Sequence, residues 1–216
     1  MKASVVVFPG SNCDKEARDI LKKFGFEASL IWHEESLPSD TSICFLPGGF
    51  SYGDYLRSGA VAARSKIMNE IRNFAENGGI TIGICNGFQI LTEAKILPGA
   101  LLPNKCGHFV CKEITISKAN KDSIFTQNLK QNLKVQVAHG DGMFTADSKT
   151  LKMLEDENRI AFTYNENFNG SKNSIAGIIG GKNYNILGMM PHPERTIVSE
   201  DFIPMFENIK KHAKRS

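Results

Sequence analysis

No uncharged apolar run in this sequence approaches the ~20 residues a helix needs to cross a bilayer, so no membrane association is expected. The apolar start, Val5–Phe8, is too short for the core of a signal peptide and is ended by Pro9. It reads instead as a first buried strand. Cysteine is present without a framework. There are five, at 13, 44, 85, 106 and 111, an odd number at irregular spacing with no Cys-x-x-Cys. A disulfide scaffold does not fit, and a reducing cytoplasm does. The sequon Asn169-Gly170-Ser171 is then simply a turn. Excess charge is also lacking: 26 Lys and Arg stand against 23 Asp and Glu, a net charge of +3. That disfavours a dedicated nucleic-acid binder. Neither Gly-x-x-x-x-Gly-Lys-Ser/Thr nor Gly-x-Gly-x-x-Gly occurs, so no phosphate-cradling loop of either kind is expected. What remains is a 216-residue chain, 41% hydrophobic and 23% charged, sized for one domain spanning 1–216. It is short for an enzyme that binds ATP and joins two substrates. Where such chemistry is involved, this chain would carry one part of it.

Apolar periodicity fills in the organisation. Strands are expected at Val5–Phe8, Ala28–Trp32, Ile43–Leu46 and Ile80–Ile84, and helices at Asp14 to Phe24, Val61 to Ala75 and from Phe88 to Glu93. Alternating strands and helices imply an α/β fold, an open and mostly parallel twisted sheet flanked by helices. In the second half, strand-like segments at 109–116, 133–138, 160–164, 175–179 and 186–190 are separated by polar turns, which suggests antiparallel hairpin additions. The stretch 202–212 reads as a final helix. Its basic end, Lys210, Lys211, Lys214 and Arg215, reads as a solvated tail that complements the helix dipole. In open α/β sheets, sites form beyond the carboxyl ends of the strands.

The most informative strand exit is Gly83-Ile84-Cys85-Asn86-Gly87, the thiol form of the nucleophile elbow. A strand that ends abruptly before a helix must turn sharply around one residue, and the flanking glycines leave room for that crowding. The central thiol is pushed out above the helix N-terminus, which favours thiolate. The Asn86 amide would face a developing oxyanion. An inert buried thiol is the competing reading. A cysteine nucleophile needs a base. Of the five histidines, His192 stands at a strand exit in Pro191-His192-Pro193-Glu194, with Glu194 placed to orient it. An ordinary proline-rich turn is the alternative there. Gly48-Gly49, directly after another strand, would let the Gly49 amide supply a second oxyanion donor, or would be a plain turn. His139 is a weaker candidate base, because no carboxylate follows it two residues on.

Taken together, Gly83–Gln89, His192-Pro193-Glu194 and Pro47-Gly48-Gly49 resemble the class I (triad) glutamine amidotransferases. The segments 8–14 and 47–60, with Ala138–Gly142 and Met190–Arg195, are similar to one branch of them: the small glutaminase subunits of phosphoribosylformylglycinamidine synthase. The resemblance covers nearly the whole chain and implies a flavodoxin-like fold. It implies that Cys85 attacks L-glutamine to form a thioester, with His192 and Glu194 completing the triad and Gly49 and Asn86 forming the oxyanion hole. Gln89, His108 and Phe109 would contact the substrate. Ammonia would pass to a separate large synthetase subunit, and a small third subunit is expected as well. No cofactor is implied for this chain, ATP and Mg belonging to the synthetase. The 104–109 segment departs from the pattern at Cys106 and His108. Those departures create Cys106-x-His108-x-x-Cys111, three potential zinc ligands lacking a fourth. The competing readings are a glutaminase subunit of another synthase, or a non-catalytic thiol protein acting in redox sensing or binding.

Overall fold

The first strand, β1 (Lys2–Val7), carries Val5 and Val6 fully buried and sits second from the edge of a nine-stranded sheet. The computed structural model describes residues 1–120, 122–195 and 200–214. Helix α1 (Asp14–Lys23) follows because Ala17, Ile20 and Leu21 recur at helical spacing and pack onto the sheet. Its acidic first turn and basic last turn complement the helix dipole, and Gly25, at φ +81°, ends it. Next come β2 (Glu27–Trp32) and β3 (Thr41–Leu46).

The expected helix from 61 to 75 is shorter than its apolar pattern suggested. Ala62–Arg64 forms a separate 3₁₀ turn, Ser65 is extended (ψ 148°), and α2 spans Ile67–Glu76. The extended residue breaks the helix that periodicity alone would have run through. Strand β4 (Ile80–Ile84) is buried along its whole length, and α3 (Asn86–Glu93) begins one residue after Cys85.

The second half comprises β5 (Ala100–Leu102), β6 (Val110–Lys118), β7 (Asn132–His139) and β8 (Met143–Thr145), then α4 (Ser148–Asp156). It closes with β9 (Ile160–Tyr164), β10 (Ile175–Gly180), β11 (Ile186–Met189) and α5 (Ile203–Ala213). The Asp147 carboxylate caps α4 by accepting from Thr150 N (2.7 Å). Helices α1 and α5 meet where Phe24 stacks on Phe206, ring centroids 5.3 Å apart. Of the expected basic tail, Arg215 lies outside the described residues. Asn169 is fully buried, its side chain donating to Gly142 O (2.8 Å) and accepting from Ser171 N (3.1 Å). The sequon is thus a structural turn.

The sheet order is β2-β1-β3-β4-β11-β10-β9-β6-β7. The first five strands pair in parallel, and the other four extend the sheet by antiparallel pairing. The expected α/β sheet with antiparallel additions is present, and the additions make up nearly half of it. Among the described residues, no helix is long and apolar enough to cross a membrane. For the site, one feature of this order matters most. Strands β1, β3, β4 and β11 are consecutive and parallel, so their carboxyl ends open on the same edge. The chain passes from β1 to β2 on one side and to β3 on the other, the arrangement that leaves a crevice at strand exits.

Candidate active site

At the exit of β4 the chain turns around Cys85, which holds φ 51° and ψ −107°. A non-glycine residue in such a conformation persists only where its surroundings enforce it. The enforcement is visible. Cys85 N donates to Met189 O of β11 (2.8 Å), and Cys85 O accepts from Phe88 N and Gln89 N at the start of α3. The flanking glycines are required by close approach. A Cβ on Gly87 would lie 2.0 Å from Leu46 O, and one on Gly83 would lie 2.7 Å from Gly87 O. The strained elbow read from the sequence is therefore present.

His192 is brought to it by β11. Met189 pairs with Ile84 in register, so the residues following the two strands emerge side by side. Backbone bonds fix the turn: Met190 N donates to Ala176 O (3.0 Å) and His192 N to Gln136 O (2.9 Å). His192 Nδ1 lies 2.6 Å from Glu194 Oε1, and both side chains are essentially buried. Burial alone would drive the imidazole toward neutrality. The Glu194 carboxylate, Cys85 and Cys13 together outweigh it, Glu194 contributing most of the three, so His192 titrates well above its usual 6.5. Its Nε2 is buried with no protein partner among the described residues.

The exit of β3 closes the third side. Gly48 and Gly49 are both needed. A Cβ on Gly48 would lie 2.7 Å from His192 Cε1, and Gly49 holds φ +151° with neighbouring backbone 2.8 Å from its Cβ position. Ser51 N donates to Asn86 Oδ1 (3.2 Å), tying this loop to the elbow. Among the described residues, neither the Gly49 nor the Asn86 amide has a hydrogen-bond acceptor. Free amides beside a nucleophile can stabilise a tetrahedral oxyanion.

Cys85, His192, Gly49 and Phe109 line one cleft of about 80 Å³, with Phe50 facing Phe109 at 6.1 Å across it. A larger hollow of about 450 Å³, lined by Asp40, Thr41 and Ile80 among others, lies at the opposite ends of β3 and β4. It is lined by no cysteine or histidine, whereas the smaller cleft is lined by Cys85 and His192. Two expected contacts do not border it. Gln89 is committed at both ends, accepting from Asn86 Nδ2 (2.9 Å) and donating to Asp141 O (2.7 Å). His108 is exposed and folds back on its own loop, Nδ1 to Cys106 O at 3.0 Å. Nor do Cys106, His108 and Cys111 gather as metal ligands.

His139 is buried against Asn104 Oδ1 (3.1 Å) and stacks on Phe168. Burial, helped by the nearby His192, pushes it down to about 4. It is neutral at physiological pH and, among the described residues, has no carboxylate on its ring, whereas His192 has Glu194. Sequence reasoning missed Cys13 and Arg195 as cleft residues. Both lie beside recognisable strand exits, but only the strand order places Cys13 against a histidine 179 residues away.

A thiol in a strand–helix elbow, an imidazole backed by a carboxylate and two free amides together form an arrangement suited to acyl transfer. In accordance with that geometry, the model of the CobB/CobQ-like glutamine amidotransferase domain matches residues 1–212, and the chain belongs to the glutamine amidotransferases. Within them it belongs with the phosphoribosylformylglycinamidine synthase subunit PurQ proteins. The protein of that name from Ruegeria is 52% identical over 198 residues, covering 90% of this chain and 89% of its own. That from Thermus thermophilus is 46% identical over all of both chains. A solved structure of PurLQS from Thermotoga maritima matches with a TM-score of 0.89 at 41% identity, over 98% of each chain. A glutamine amidotransferase from the same organism, 19% identical with a TM-score of 0.60 over 100% of this chain and 84% of its own, shares the fold.

Proposed function

We propose that this chain is the glutaminase subunit of a phosphoribosylformylglycinamidine synthase. The observation that carries the reading is the strained Cys85 elbow facing the buried His192–Glu194 pair. Cys85 attacks the side-chain amide of L-glutamine. The tetrahedral oxyanion is held by the Gly49 and Asn86 amides. His192, kept protonated by Glu194, gives its proton to the leaving ammonia, and a γ-glutamyl thioester remains on Cys85. The neutral imidazole then activates water to release glutamate. Phe109 bounds the substrate cleft; of the other candidate contacts, neither of which borders it, Gln89 acts from behind by anchoring the Asn86 side chain, and His108 would have to leave its own loop to reach glutamine.

The whole chain serves as one glutaminase domain. The ammonia passes to a cytoplasmic partner synthetase that holds ATP and Mg and amidates formylglycinamide ribonucleotide, with a small third subunit in the complex. Supporting this division of labour are the names of the relatives and the exposed Tyr55 and Leu56, which extend from the same loop as Gly49. The test is Cys85→Ala in the assembled complex. Glutamine-dependent synthesis should fall at least 10⁵-fold, on the order of the loss of a nucleophile, while ammonia-dependent synthesis is retained. Loss of both in an intact complex refutes the reading. If no added electrophilic glutamine analogue labels Cys85 in a glutamine-protectable way, the chain is a thiol-based binding protein instead.

A further inference from the structure

A second thiol borders the cleft without belonging to the triad. Cys13, just before α1 at the exit of β1, is 2% exposed. Its Sγ lies 3.3 Å from Arg195 Nη2 and 3.3 Å from Asn12 Oδ1. The Cys13 sulfur, a His192 ring nitrogen and a Glu194 oxygen lie within 4.8 Å of one another. The unpartnered, buried Nε2 of His192 belongs to the same cleft. The two cysteines and the His192 ring meet against Gly48. A Cβ there would sit 2.7 Å from His192 Cε1, 3.2 Å from Cys13 Sγ and 3.4 Å from Cys85 Cβ, so both thiols lie beside the same glycine with the imidazole next to them. The other described thiols are placed differently. Cys44 is sealed in β3, its thiol pushed up to about 12 by burial, and Cys106 and Cys111 are exposed outside the cleft.

We propose that Cys13 is the resolving thiol of a reversible modification site, forming a disulfide with Cys85 when hydrogen peroxide oxidises the nucleophile. The Cys85 thiolate attacks one peroxide oxygen, the O–O bond breaks, and Cys85 becomes a sulfenic acid as hydroxide leaves with a proton from His192 to form water. Cys13 then attacks the Cys85 sulfur, the S–O bond breaks, and a second water departs. Two thiols lose two electrons and one peroxide gains them. Because both thiols lie against Gly48, rotation of the two side chains and a small movement of the loop before α1, past the His192 ring, bring the sulfurs into bonding distance. The disulfide blocks thioester formation, and an added dithiol restores both thiols. Without Cys13, the sulfenic acid proceeds to sulfinic acid, which a dithiol does not reverse.

The test uses the full chain in complex with its synthetase, treated with hydrogen peroxide and then with dithiothreitol. Peptide mass mapping of the wild type should show Cys13 joined to Cys85, in step with loss of glutaminase activity and with recovery on reduction. Cys13→Ala and Cys13→Ser, each compared with its own untreated activity, should recover roughly tenfold less than the wild type. The double variant Cys106→Ser/Cys111→Ser should recover like the wild type. Inactivation without a Cys13–Cys85 peptide, or full recovery in both Cys13 variants, overturns the proposal. The mass readout is independent of the glutaminase reading, so the two can fail separately.

Discussion

Replacing Glu194 by glutamine keeps the outline of the triad and removes its negative charge. The carboxylate sits 2.6 Å from His192 Nδ1 with both groups out of solvent, so its loss leaves an imidazolium with no counter-charge. Removing one partner of a buried ion pair costs about 3–5 kcal/mol. At about 1.4 kcal/mol per tenfold, the turnover number for glutamine should fall between about a hundredfold and a few thousandfold. The pH profile should move as well. In the wild type, Glu194 is the largest of the effects that together overcome burial and raise His192 above 6.5. In the variant burial dominates, the imidazolium is lost at lower pH, and the alkaline limb of kcat/KM moves to lower pH. The raised His192 also contributes stability that is complete below its unfolded value near 6.5 and is lost as pH rises through the folded value. Glu194→Gln should therefore be less stable than the wild type at pH 6, with the gap closing in alkali. The assay is glutamate release by the assembled complex between pH 5.5 and 9, with ammonia-dependent synthesis as the internal control. An unmoved alkaline limb with turnover within about threefold of the wild type would refute the role given to the pair.

Further outcomes follow from neighbouring features. Gly87→Ala puts a methyl 2.0 Å from Leu46 O, so chemical denaturation should show a loss of about 3 kcal/mol together with loss of glutaminase activity; unchanged stability would show that the elbow can open to admit it. Asp54 is raised to about 6 by burial and then by Asp141, so it binds protons more readily folded than unfolded. Its contribution is full below about pH 4 and is lost as pH rises through 6, and Asp54→Asn should stabilise the chain at pH 7 by about 1 kcal/mol after solvent screening, with no gain at pH 4. The isolated chain should hydrolyse glutamine slowly and be activated when the synthetase is added, because the exposed loop carrying Tyr55 and Leu56 is continuous with Gly49; high activity indifferent to the synthetase counts against this.

The sequence by itself determined the parts whose cause is local. The apolar runs at 5–8, 43–46 and 80–84 could be read as strands because each is followed by a turn that ends it, and the elbow could be read because glycines at 83 and 87 answer a crowding created within five residues. The His192–Glu194 pair was legible for the same reason, since two positions in one tight turn share a side. Periodicity failed where the backbone broke the pattern, as at Ser65, and where strands such as β5 and β8 are too short to show one. Only the tertiary structure decided what depends on strand order. Setting β11 beside β4 brings a histidine to a thiol 107 positions earlier, and setting β1 beside β3 places Cys13 at the same cleft. It also turned Gln89 away from the cleft, because Asn86 and Asp141 satisfy both ends of its amide. Hydrogen-bond and packing partners far apart in the chain are chosen by the sheet as a whole, and no local pattern encodes them.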